Sequence, residues 1–148
     1  KKLKKSLPEY FIKFPIHKSD ISNAILAEKN NLKKIIKIVH LEIRKKMNIF
    51  LKKNKNKKIV ILDIPLLLEN KINKPKDILI FIQPKKSELL RRLKKRKNYN
   101  KKLFKIFKKI QLSLDYKKKK SNFIIKNDFS RKSIDIRINN ILKKLENE

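Results

Sequence analysis

No glycine occurs anywhere in the 148 residues of this chain. At ordinary usage of about 7%, a chain of that length carries roughly ten. Every left-handed turn must therefore be made by a residue with a Cβ, and a glycine-rich loop that lets backbone close around a phosphate is excluded from these residues. A core is still expected. The length suits one domain burying roughly two thirds of its unfolded surface, and 40% hydrophobic residues in periodic arrays argue against a disordered chain.

The charge is extreme: 44 Lys+Arg against 13 Asp+Glu, formally +31. Lysine (38), isoleucine (24) and asparagine (15) make up more than half the chain, and all three have A- and T-rich codons, so part of the charge reflects nucleotide bias rather than a partner. The absence of Cys removes disulfide, thiolate and Cys-type zinc chemistry, and His17 and His40 lack metal-ligand spacing. No apolar run approaches 18 residues, and the start KKLKKSLPEY lacks the apolar stretch of a secretory signal. A cytoplasmic location follows as the expectation, with no membrane partner and no specific nucleic-acid partner.

Residues 1–18 are basic and aromatic, with Pro8 and Pro15 preventing one continuous helix. Ser19 or Asp20 offers an N-cap for a short helix through Ala27. A longer helix is expected from Leu32, where apolar residues at 32, 35, 36, 39, 43, 47, 50 and 51 form one stripe that the basic loop KKNKNKK ends. Residues 59–64, Ile-Val-Ile-Leu-Asp-Ile, read as a strand buried on both faces; 78–82 and 122–125 read as two more, with a short helix and turn after the first. A final amphipathic helix follows, capped by Ser130 and carrying Ile134, Ile138, Ile141, Leu142 and Leu145 on one face. Strands alternating with helices imply an α/β fold with parallel pairing. Residues 85–120 hold 17 Lys+Arg and only Glu88 and Asp115 as acids, and read as two basic helices broken around 98–100.

Asp63 ends the first apolar run, the edge of a parallel sheet where a carboxylate can hold a magnesium water or accept a proton; a turn-forming Asp is the plainer alternative. Arg91, Arg92 and Arg96 are half of the chain's six arginines, and Arg92 and Arg96, at i and i+4, are placed to reach one phosphate chain from a single helix face. His40 and Arg44 have the same spacing on the long helix and could touch an anionic substrate together, although His40 alone reads first as structural. Asn127 either closes a turn or contacts a purine base.

Taken together, IVHLEIRKKM (38–47), IVILDIPLLLEN (59–70), RRLKKR (91–96), Gln111, Lys117 and NFIIKND (122–128) resemble dephospho-coenzyme A kinases in order and spacing. The resemblance runs from about Ile21 onward. Leu41, Leu68, Lys97, Ser113 and Ser121-Asn122 depart from the family's pattern, and Asp128 stands where glycine is usual. The resemblance implies a P-loop-kinase-like parallel sheet, with three of its strands in this chain. Residues 1–57 would be a helical acceptor-binding part, 58–84 core strands, 85–120 a basic lid, and 121–148 the last core strand and C-terminal helix. It also implies an N-terminally truncated chain, because such kinases open with a strand, a glycine loop and a helix that Lys1 lies beyond, so that residues 1–148 alone would be poorly stable and inactive.

What it implies chemically is transfer of the γ-phosphoryl group of ATP, with Mg²⁺, to the ribose 3'-hydroxyl of dephospho-coenzyme A. Asp63 would sit by the magnesium and phosphates, Arg92 and Arg96 would close from the lid, and Lys117 would assist. His40 and Arg44 would contact the acceptor, and Asn127 the adenine side. A small basic RNA- or ribosome-binding protein is the competing reading; it explains the charge but neither the strand patterns nor the spacing from Asp63 to Arg92. A peripheral membrane module built on the basic helices fits least, since the chain has no Trp.

Overall fold

The computed structural model describes residues 1–147. Its elements in chain order are α1 (Lys2–Ser6), α2 (Lys18–Ala27), α3 (Lys29–Lys53), β1 (Ile80–Pro84), α4 (Lys86–Lys94), α5 (Lys101–Ile110), α6 (Leu114–Lys120), β2 (Phe123–Asn127) and α7 (Arg131–Glu146). They form two compact units. One comprises Lys1–Ile72 with Lys101–Lys109; the other comprises Asn73–Asn100 with the chain from Ile110 on.

The first unit is built on α3. Asp20 sits at the third position of α2, where its carboxylate accepts the His17 backbone N–H at 2.9 Å; His17, not Ser19 or Asp20, is the N-cap. Glu28 is extended and turns the chain from α2 into α3. Leu7, Phe11, Ala24, Ile25, Leu32, Ile35 and Ile72 are the buried apolar residues here, and Asn31 is a buried polar residue beside them. The Asn31 amide Nδ2 donates to the Ala24 carbonyl at 3.0 Å and ties the two helices together. Lys2 pairs with Glu42 across α1 and α3. Only the first half of the α3 stripe is buried: Val39 and Phe50 are exposed.

Residues 59–64 do not form a strand. They pass beside the second half of α3 without regular secondary structure, with Ile61 82% exposed. The residues are β-favouring, but a strand exists only through a ladder, and among the described residues nothing pairs with this run. The helix expected after it is replaced by a wound turn over 65–71. Leu66 and Lys71 adopt positive φ (57° and 48°) there, and both the backbone N–H and the side-chain amide of Asn70 donate to the Leu66 carbonyl. With no glycine available, β-carbons occupy both left-handed positions.

The second unit holds the sheet. β1 and β2 pair in parallel with Ile80 opposite Phe123 and Pro84 opposite Asn127. This α/β arrangement with parallel pairing agrees with the sequence, although two of the three expected strands form among the described residues. Asn122 closes the other end: its Oδ1 accepts the Leu79 N–H at 2.8 Å, while its own N–H donates to the Leu79 carbonyl. Buried Ile125 and Ile141 lie on β2 and α7, which pack together. Ser130 caps α7 as expected, its hydroxyl accepting the Ser133 N–H at 3.5 Å. The basic region contains three helices rather than two, α6 being capped by Ser113 on the Tyr116 N–H. Among the described residues, no helix is long and apolar enough to cross a membrane.

Candidate functional site

Because the register places Pro84 opposite Asn127, both strands of the second unit end together, and α4 and α7 start from that edge. In parallel α/β sheets this is the ligand-binding edge. The Lys85 N–H donates to the Asn127 carbonyl at 3.3 Å, and Asn127 Oδ1 accepts the Phe129 N–H at 2.8 Å, so Asn127 closes the turn after β2. Asp128 accepts from the Ser130 N–H at 3.0 Å and from the Ser133 hydroxyl at 2.8 Å. These two hydrogen bonds, with Arg137 nearby, hold its carboxyl below the usual range. The left-handed residue of this turn is Phe129 (φ 65°), not Asp128, so position 129 is where a Cβ costs about 1–2 kcal/mol.

Over the same turn lies the basic helix. The Arg92 guanidinium sits 4.1 Å from the centre of the Phe129 ring. Arg91 takes Glu88 by two hydrogen bonds, Nε to Oε1 at 3.1 Å and Nη2 to Oε2 at 2.7 Å, which lowers the Glu88 pKa. Arg92 Nε is left 3.9 Å from Glu88, and the Arg92 side chain is 56% exposed. Arg96 does not share its helix face. α4 stops at Lys94, and the Arg96 N–H turns back to the Leu93 carbonyl at 3.2 Å, so Arg96 projects from the turn beyond the helix. Lys117 lies half-buried on α6, its carbonyl accepting the Ser121 hydroxyl at 2.8 Å.

His40, Arg44 and Asp63 belong to the first unit. Arg44, one turn along α3 from His40, donates from Nη2 to the Asn70 carbonyl at 3.0 Å and so pins the wound turn to the helix. Partial burial, then the neighbouring Arg44 charge, push the His40 pKa below its ordinary value. His40 is therefore a neutral hydrogen-bonding group at pH 7 rather than a second cation. Asp63 is exposed, beside a shallow groove of about 280 Å³ lined by Ile43, Met47, Phe50 and Ile61. No cluster of three or more His, Cys, Asp or Glu able to hold a metal occurs among the described residues. A single exposed carboxylate suits Mg²⁺, which keeps most of its waters and takes substrate phosphates as further ligands.

The structure thus brings Arg92 and Asn127 to one sheet edge and joins them through Phe129, a residue that sequence reasoning passed over. Its one local sign is an aromatic side chain in the turn between Asn127 and the Ser130 cap, where small or polar residues usually stand.

Comparison with known proteins bears on the whole of this arrangement. A family model described as dephospho-CoA kinase matches residues 16–133, a span containing all seven candidate residues. The dephospho-CoA kinase of Wolbachia pipientis wMel is 29% identical over 143 residues, which cover 95% of this chain and 73% of that protein. Those of Bartonella henselae and Rickettsia typhi are each 30% identical, over 129 and 126 residues, covering 81% and 85% of this chain and 65% and 66% of those proteins. With a match running from α2 into α7, the chain belongs to the dephospho-CoA kinase family.

Proposed function

We propose that the chain binds dephospho-coenzyme A and ATP and serves phosphorylation of the acceptor's ribose 3'-hydroxyl in coenzyme A biosynthesis. The observation that carries this reading is the family match over residues 16–133. In the reaction, the acceptor oxygen bonds to the γ-phosphorus as the bond to the bridging oxygen of ADP breaks. The hydroxyl proton passes to a general base. Positioning and charge neutralisation supply most of the catalysis in such transfers.

Arg92 and Arg96 clamp the phosphates from the basic region. Lys117 adds charge beside them, and Asn127 lies on the adenine side. His40, neutral, offers the acceptor a hydrogen bond, while Arg44 offers it charge from the donors that Asn70 leaves over. In the first unit, Asp63 would hold a hydrated Mg²⁺, the ion whose charge neutralisation such transfers use. The cytoplasm is the compartment this reading assigns.

The test is calorimetric titration of the full chain with dephospho-coenzyme A and with ATP and Mg²⁺, beside an assay for the 3'-phosphorylated product. Binding of both ligands is expected, with ATP affinity falling at least tenfold in Arg92→Ala/Arg96→Ala. Turnover by residues 1–148 is not expected, since a glycine-rich loop of the kind that wraps backbone around a γ-phosphate does not occur in them. A measurable rate with a cooperative unfolding transition overturns that part. RNA binding that weakens steeply with salt, with no affinity for dephospho-coenzyme A, overturns the whole.

A further inference from the structure

We infer that Phe129 is a positioning residue whose ring holds the Arg92 guanidinium over the C-terminal edge of the two-stranded sheet, ready for a polyphosphate. The inference rests on the reading of that edge as the ATP side, and three observations support it. Arg92 lies over the ring at 4.1 Å, in cation–π range. A guanidinium held over an aromatic ring spends no N–H donor on a hydrogen bond there, so its donors stay available to phosphate oxygens, and this side chain is 56% exposed. The acid nearest Arg92 leaves its donors largely unspent: Glu88 gives both its hydrogen bonds to Arg91 and meets Arg92 only as a looser ion pair at 3.9 Å.

The backbone points the same way. Phe129 holds φ at 65°, a conformation disfavoured for a bulky residue, and the turn is fixed by Asn127 Oδ1 on its own N–H and by Asp128 on the Ser130 N–H. Glycine would relax this position. A ring that stays there despite the strain has a contact to make, and Arg92 supplies it. The stack joins residues 37 positions apart and fixes the basic helix α4 to the turn before α7.

The experiment compares Phe129→Leu, Phe129→Tyr and Phe129→Gly in the full chain, reading the Arg92 Hε chemical shift, the Kd for ATP with Mg²⁺, and Tm. In the wild type the ring current is expected to move Arg92 Hε upfield. Leu keeps apolar bulk but loses the shift, and ATP affinity falls about 3- to 10-fold, the range set by the loss of a partly exposed cation–π contact. Tyr keeps both. Gly relieves the backbone, so its Tm equals or exceeds that of Leu while its affinity falls as far. A merely structural Phe129 would instead make affinity follow Tm. An unshifted Arg92 Hε in the wild type, or unchanged ATP affinity in Phe129→Leu, overturns the inference and leaves the reading of the site standing. A shifted Arg92 Hε in a wild type that binds neither ATP nor inorganic triphosphate overturns that reading, and the role of Phe129 with it.

Discussion

Asn31 is the sharpest test of what holds the helical unit together. Its side chain is 1% exposed, and Nδ2 donates at 3.0 Å to the carbonyl of Ala24, itself 0% exposed, so water cannot replace the bond. Asn31→Ala removes the donor and leaves a small void. The under-served carbonyl costs about 1–3 kcal/mol and the void adds to it, roughly 2–4 kcal/mol together. Against a total stability of about 5–15 kcal/mol this is a large fraction. At roughly 4 °C per kcal/mol for a chain of this size, Tm falls by about 8–16 °C.

Asn31→Asp is nearly isosteric and should do more damage at pH 7, because a carboxylate cannot donate to Ala24 and its charge must be buried. Protonation restores a donor, so the gap between this variant and the wild type should narrow as pH falls through the carboxyl range. Chemical denaturation of both variants at pH 7, with the Asp variant repeated near pH 4, checks this. An Ala variant within 0.5 kcal/mol of the wild type, or an Asp variant no worse than Ala at pH 7, would refute the argument.

Other expectations concern the caps, the turn and pH. Ser130→Ala removes the α7 cap and should cost about 1 kcal/mol in denaturant unfolding, with Ser130→Asn restoring most of it. Arg44→Ala frees the wound turn from α3, so proteolysis between Leu66 and Ile72 should accelerate while the helical signal in circular dichroism is kept. His40 has a folded pKa below its unfolded value of about 6.5, so the unfolded chain binds more protons just below that pH. Stability should therefore rise with pH through that window and be lost as pH falls below about 6.5, and His40→Gln should flatten this part of the profile measured by Tm.

The elements legible in the sequence were those whose information is local. The stripe of α3 and the Ser130 cap of α7 lie within a turn or two of the residues they organise, and both stand in the structure. The run 59–64 shows where local information ends: isoleucine and valine state a preference for extended backbone, but whether it becomes a strand depends on a hydrogen-bonding neighbour that the run cannot encode. α6 was hidden for the opposite reason. LDYKKKK reads as low complexity, yet lysine is a good helix former, and Ser113 supplies the cap. At the candidate site, spacing picked out Arg92 and Asn127 but not what joins them, since the Arg92–Phe129 stack spans distant parts of the chain. The i, i+4 pairing of Arg92 with Arg96 assumed a helix reaching residue 96, and α4 ends two residues short.

At high concentration the run 59–64 beside α3 is exposed to other copies of the chain. An isoleucine-rich ribbon with no ladder partner among the described residues, carrying Ile61 at 82% exposure, is a template on which a second chain can assemble edge to edge. Lys57 and Lys58 stand immediately before it and Pro65 immediately after. Like charges repel an approaching copy at one end, and a proline without an N–H stops a growing ladder at the other. Neutralising the two lysines should therefore promote aggregation, read by light scattering, far more than removing the same charge from the exposed face of α7.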